Sequence, residues 1–185
     1  MNRTLLAALA ATFALIVPAA TQAELPLGTR APNFATQGAL AGKAFGFNLA
    51  AALRKGPVVL YFYPKSFTQG CTLEAHAFAE AMRDFQSAGA TVIGLSADDL
   101  ETQKKFSTEH CRDKFPVAIA TPAIIQAYQV QLKKPDGTVL PITSRTSYVI
   151  GRDGRIKLVY SNMDYSDHVK QTLAAVRALK AKPRG

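Results

Sequence analysis

The hydrophobic pattern divides the chain into short, wholly apolar runs and longer stretches with apolar positions three and four apart. Residues 58–63 (Val-Val-Leu-Tyr-Phe-Tyr) form a continuous apolar run rich in β-favouring side chains, which predicts a strand buried on both faces of a sheet. Residues 72–88 follow with Leu73, Ala77, Ala81, Met82 and Phe85 at helical spacing and Gly89 as a stop signal. Residues 91–95 predict a second buried strand. Asp98 or Asp99 can cap a helix running through Glu101, Lys105 and Phe106 toward Cys111. Strand, helix, strand, helix in this order implies parallel pairing.

The second half changes character. Residues 115–119 predict a further strand and residues 124–128 a short helix. Residues 146–150 and 156–160 are β-rich runs joined by Gly151-Arg152-Asp153-Gly154, where Asp-Gly marks a tight hairpin turn. A terminal helix over residues 165–181 carries Val169, Leu173, Val176 and Leu179 on one side. Ahead of these, residues 31–47 predict short extended pieces with Gly-rich turns, and residues 48–53 a helical turn. The sum is an α/β fold with a central mixed β-sheet, helices on both faces and an N-terminal β extension. This element order resembles the thioredoxin-like fold.

Residues 1–23 follow another pattern: Arg3, an uncharged apolar run from Leu5 to Val17, then small residues ending at Ala23. This is the layout of a secretory leader, and the run falls short of the roughly 20 residues that a membrane span needs. The expectation is a cleaved signal peptide over 1–23, one domain over 24–185, export to the periplasm and no stable membrane insertion. The formal charge of +9 falls by one when Arg3 leaves. Basic residues such as Lys104, Arg112, Lys133, Arg155 and Arg177 are spread along the chain, without the concentrated stripe and interleaved aromatics of a nucleic-acid surface. A binder of nucleic acid is therefore not expected.

Two cysteines, Cys71 and Cys111, permit one bridge. Cys71 stands at the passage from the first buried strand to the helix, after Pro64-Lys65-Ser66-Phe67-Thr68-Gln69-Gly70. A thiol in the first turn of a helix meets unpaired backbone N–H groups and the positive end of the dipole, both of which favour thiolate. Thr68, three residues earlier, has a hydroxyl that can cap the helix or reach the sulfur and an approaching oxygen substrate. Pro64 fixes φ and offers no donor.

The segment Leu60-Tyr61-Phe62-Tyr63-Pro64-Lys65, with Thr68, Gly70, Cys71, Thr72 and Glu74, is similar to the motif around the peroxide-reactive cysteine of peroxiredoxins. The likeness is to the bacterioferritin-comigratory or peroxiredoxin Q branch. Gly94 to Asp98, Phe115-Pro116, Ala127-Tyr128, and Arg145 to Ile150 with Asp153-Gly154 resemble later landmarks of that branch. The resemblance implies a thiol peroxidase in which Cys71 is the peroxidatic cysteine. Thr68 and Arg145, taken as an arginine in an exposed pocket, hydrogen-bond thiolate and peroxide; Pro64 shields the sulfur; Glu74 orients Arg145. It implies no metal, haem or flavin cofactor, a peroxide substrate, a thioredoxin-like or other dithiol reductant as partner, and a monomer. Many members of the branch place the resolving cysteine five residues after the peroxidatic one, where this chain has His76. Others carry it in the next helix, at the position of Ser107, and Cys111 lies four residues later on the same predicted helical face. The resemblance therefore implies Cys111 as resolver.

Other readings stay open at this level. One is a one-cysteine peroxidase, and another an exported binding module whose Cys71–Cys111 disulfide is structural, since closing a loop of about 40 residues is worth roughly 4 kcal/mol. A dithiol oxidoreductase wants Cys-x-x-Cys, and Thr68 occupies the place of the first cysteine. His76 as a metal ligand, His110 as a neighbour tuning Cys111, and His168 as a surface residue complete the survey of titratable groups.

Overall fold

The computed structural model describes residues 24–181; the expected leader, residues 1–23, lies outside the described residues. Strands β1 (Ala35–Leu40) and β2 (Lys43–Asn48) form the N-terminal β extension. Ala41 and Gly42 join them with φ of 50° and 73°, the two positive values that a two-residue hairpin turn requires. Helix α1 (Leu49–Lys55) is capped by the Asn48 side chain, which accepts from the Ala51 N–H at 2.8 Å.

Then come β3 (Val58–Phe62), α2 (Gln69–Ser87), β4 (Thr91–Ser96), α3 (Leu100–Glu109), β5 (Val117–Ile119) and α4 (Pro122–Ala127). They are followed by β6 (Gln131–Lys133), β7 (Val139–Thr143), β8 (Thr146–Ile150), β9 (Ile156–Ser161) and α5 (His168–Ala181). Seven strands form one mixed sheet in the order β2-β1-β5-β4-β3-β8-β9. Strands β3, β4 and β5 are parallel, as the two helical crossovers demand, while β8 returns antiparallel beside β3 and β9 antiparallel beside β8.

Strand β3 is buried along its whole length. Val59, Tyr61 and Tyr63 face a core built with α2, α3 and α5; Val58, Leu60 and Phe62 face a second core built with α1 and α4. The alternation of side chains across the sheet explains why the run reads as continuously apolar. Tyr61 stacks on Phe78 of α2, with ring centroids 4.3 Å apart, which fixes the helix over the strand.

Four differences from the sequence pattern bear on function. Helix α2 begins at Gln69, three residues earlier than its apolar spacing indicates, and its inward stripe is Cys71, Glu74, Ala75, Phe78, Ala79, Met82 and Phe85. Leu73 is 39% exposed, because the stripe is rotated to bury the Glu74 carboxylate. Helix α3 ends at Glu109, so Cys111 is not on its face; Arg112 and Asp113 turn left-handed at φ of 51° and 57°, and the Cys111 N–H bonds back to the Phe106 carbonyl. Helix α5 begins at His168 and not at 165. The β6–β7 hairpin has no counterpart in the sequence reading, although Asp136 and Gly137 (φ 85°) supply its turn.

Candidate active site

The register of the sheet assembles the site. Thr146 at the start of β8 lies opposite Phe62 at the end of β3, so Arg145 sits where the chain leaves β3 for the Cys71 loop. The Thr143 hydroxyl donates to the Tyr63 carbonyl at 2.6 Å and closes the same edge. Pro64, half-buried, begins the loop. Phe67 then adopts φ of 64°, a left-handed conformation that is costly for an aromatic residue and is held by edge contacts to Phe106 and His110.

Cys71 is the third residue of α2 and is 2% exposed. The first intrahelical bond runs from the Thr72 N–H to the Thr68 carbonyl, so the N–H groups of Gln69, Gly70 and Cys71 have no partner within the helix. The Arg145 guanidinium spends each of its arms: Nη2 donates to Cys71 Sγ at 3.4 Å, Nη1 to Glu74 Oε2, and Nε to the Met163 carbonyl at 2.9 Å. Gly70 leaves room for this arrangement, since a Cβ there would meet Arg145 Nη2 at 3.2 Å. Arg145 is 5% exposed and is thus a buried residue, not one in an exposed pocket. Its pKa stands above the ordinary value: burial opposes the charge, and the Glu74 and Cys71 charges overcome that opposition.

Glu74, one turn after Cys71, is completely buried. Burial pushes its carboxyl up to about 8, with Arg145 working in the opposite direction. Its Oε1 makes no hydrogen bond. The Thr68 side chain neither caps α2 nor bonds the sulfur; its hydroxyl donates to the Lys65 carbonyl at 2.9 Å.

Cys111 is fully buried in the same apolar core as Cys71, and both thiols are free. Burial raises the Cys111 thiol far above its ordinary range, with the Asp113 charge adding to the effect. His76 and His110 meet across α2 and the end of α3, ring nitrogen to ring nitrogen at 3.3 Å. Among the described residues no group of three or more His, Cys, Asp or Glu side chains is placed to hold a metal ion.

Sequence reasoning missed one residue that packs behind the site. His168 is completely buried and not on the surface: it packs between Ser147, Glu74 and Asn162, contacts made only by the tertiary fold. Tyr61 carries a buried hydroxyl without a partner. Surface clefts lined by Leu25, Val159 and Tyr160, and by Pro57, Arg152 and Lys180, do not include Cys71.

A mixed sheet of this order, with a lone thiol at a helix start gripped by a buried arginine, defines a thioredoxin-fold protein of the peroxiredoxin type. Residues 27–159 match the AhpC/TSA family. A chloroplastic peroxiredoxin Q of Suaeda salsa is 34% identical over 138 residues, which are 72% of this chain and 62% of that protein's length. The crystal structure of peroxidoxin BcpB from Mycobacterium tuberculosis superposes with a TM-score of 0.72 at 30% identity, covering 83% of this chain and 97% of that one. A Xanthomonas campestris bacterioferritin comigratory protein, studied for alkyl peroxide reduction, gives 0.69 at 26% identity, covering 78% and 91%. The chain belongs to the AhpC/TSA family, in its bacterioferritin-comigratory and peroxiredoxin Q branch.

Proposed function

We propose that the protein is a thiol peroxidase that reduces hydrogen peroxide and organic hydroperoxides through Cys71. The observation that carries this reading is the bond from Arg145 Nη2 to Cys71 Sγ, with Glu74 behind the guanidinium. The Cys71 thiolate attacks the terminal peroxide oxygen; an S–O bond forms, the O–O bond breaks, and hydroxide or alkoxide leaves and takes up a proton. Sulfur is oxidised to sulfenic acid and the peroxide is reduced. Arg145 and the open N–H groups at the helix start stabilise the charge as it shifts along the O–O bond. The alkyl peroxide chemistry of the Xanthomonas relative favours an organic substrate as well as hydrogen peroxide.

Cys111 then attacks the sulfenic acid, forming an intramolecular disulfide and water, and an external dithiol of the thioredoxin type reduces the bridge while becoming a disulfide itself. Two buried thiols, one of them strongly disfavoured as thiolate, must open to meet, so the first turn of α2 and the segment after α3 unfold locally in this step. The leader pattern of residues 1–23 supports export to the periplasm, and among the described residues no helix is long and apolar enough to cross a membrane.

The test is stopped-flow consumption of hydrogen peroxide and an alkyl hydroperoxide by reduced protein, repeated for Cys71→Ser and Cys111→Ser. Consumption that persists in Cys71→Ser eliminates the nucleophile. Mass spectrometry after one turnover should find a 71–111 bridge in the wild type, and sulfenic or over-oxidised Cys71 in Cys111→Ser. Two free thiols in the oxidised wild type would remove Cys111 as resolver.

A further inference from the structure

The peroxide chemistry leaves His168 without a task, yet the fold buries it completely behind the site. Its Nε2 lies 2.9 Å from the Asn162 carbonyl, which only accepts, so Nε2 carries a proton and donates. Its Nδ1 lies 2.8 Å from Ser147 Oγ and 3.8 Å from Glu74 Oε1. That Oε1 is the carboxylate oxygen without a hydrogen-bond partner, while Oε2 is committed to Arg145. The turn that His168 holds is also the turn that holds the arginine: the Asn162 N–H donates to the Arg145 carbonyl at 3.1 Å, and the Met163 carbonyl accepts from Arg145 Nε. One imidazole thus touches both supports of the guanidinium.

We infer that His168 is a positioning residue for Arg145, tying the Glu74 carboxyl and the Asn162–Met163 turn into one buried unit that aims the guanidinium at Cys71. The inference rests on the reading that Arg145 serves Cys71 in peroxide reduction. Groups that face the ring are Glu74 from α2, Arg145 ahead of β8, Asp164 and Asp167 before α5, and the Tyr160 ring of β9, edge-on at 4.7 Å. Burial lowers the imidazole pKa, and the Arg145 charge adds to this against the Asn162 bond and the two aspartates. The Glu74 carboxyl is displaced upward by burial. In the neutral ring Nδ1 accepts from the Ser147 hydroxyl, and at 3.8 Å it shares no proton with Oε1; protonating the imidazole places a positive charge beside that unpaired oxygen. Loss of the carboxyl proton leaves Glu74 fully charged against Arg145 and alters the grip on Cys71. The reactivity of Cys71 therefore carries a pH step that belongs to the Glu74–His168 pair.

The test uses His168→Phe and His168→Gln in the full chain, with three readouts between about pH 5 and 9. These are the peroxide rate by stopped flow, the ultraviolet absorbance of the Cys71 thiolate in a Cys111→Ser background, and the alkylation rate of Cys71 by iodoacetamide. For His168→Phe we expect a peroxide rate lower on the order of 10- to 100-fold, as for a misplaced catalytic group, and loss of one step in the pH profile. His168→Gln keeps a donor for the Asn162 carbonyl, so it should recover most of the rate but not the step. A wild-type pH profile in His168→Gln overturns the inference, and so does a loss in His168→Phe that is uniform with pH. His168→Gln alone decides the matter if the Phe variant does not fold. The alkylation and absorbance readouts need no peroxide, so a wild type that is inert to peroxide refutes the proposed function while still testing the positioning role.

Discussion

The Tyr63 hydroxyl donates to Gln103 Oε1 at 2.9 Å, joining the strand that leads to Cys71 to the helix that precedes Cys111. This bond is one side of a closed ring, buried except at Asp98. Gln103 Nε2 donates to Ser96 Oγ, Ser96 Oγ to Asp98 Oδ2, and the Ser66 N–H donates to the same carboxylate oxygen, while Ser66 Oγ returns to Tyr63 at 3.2 Å. The ring fastens the Cys71 loop to β4 and α3, beside the first turn of α2 that the proposed disulfide step would unfold. Removing one member leaves buried groups unpaired, at about 1–3 kcal/mol. Gln103→Leu should therefore lower the unfolding midpoint and speed formation of the 71–111 disulfide relative to over-oxidation of Cys71. Slower disulfide formation in that variant would contradict the role of the ring as a fastener.

Arg145→Lys keeps a positive charge but cannot hold Cys71, Glu74 and the Met163 carbonyl together, because an ammonium has no rigid planar fork. The peroxide rate should fall roughly 10²- to 10³-fold, the scale set by losing a preorganised donor. Arg145→Ala should lose at least as much rate and also about 1–3 kcal/mol of stability, since it leaves the buried, protonated Glu74 carboxyl without its partner. Kinetics and chemical denaturation on the two variants separate aim from stability, and an Ala variant as stable as wild type would contradict the buried pairing.

The strand and helix around Cys71 were legible because their apolar runs are long and bounded by Pro64 and Gly89, and the thioredoxin-like order followed from them. Arg145 was legible only through resemblance, as nothing local in Thr143-Ser144-Arg145 indicates burial. Tyr165-Ser166-Asp167-His168 is a polar run and reads as surface; the burial of His168 depends on β8 and α2, which are distant in sequence. The pattern extends the helix to Cys111 because no glycine or proline marks the end of α3, which two left-handed non-glycine residues produce instead. The inward stripe of α2 is hidden in the sequence for a related reason. A buried acid such as Glu74 breaks the hydrophobic pattern, and it is tolerated inside only because Arg145 meets it.

Glu74 gives stability a definite pH dependence. Its folded pKa of about 8 exceeds the ordinary 4.5, so between these values the folded state keeps a proton that the unfolded chain has released. The contribution is full below about pH 4.5 and is lost as pH rises through 8. His168 acts the other way: its depressed pKa costs stability as pH falls below the ordinary 6.5. Glu74→Gln removes only the first effect. The stability of Glu74→Gln relative to wild type should therefore improve steadily from mildly acidic to mildly alkaline pH, as read by denaturant midpoints. An offset independent of pH would contradict the raised carboxyl.

Tyr61 places an unpartnered hydroxyl in the core between α2 and the sheet. Burial raises its pKa well above the ordinary range, and the nearby Cys111, Tyr63, Glu74 and Cys71 add to the effect, so the phenol stays protonated and its O–H has no acceptor. The ring itself is closely held: it stacks on Phe78, and a Cβ on Gly94 would come within 2.6 Å of its Cζ. Tyr61→Phe keeps every ring contact and deletes only the orphan group, which should stabilise the fold by about 1 kcal/mol. Gly94→Ala should destabilise it by pushing the ring off the strand. Because the hydroxyl bonds neither sulfur, the peroxide rate of Tyr61→Phe should match wild type. A lower unfolding midpoint with an unchanged denaturant slope would contradict the assignment of this hydroxyl as an orphan.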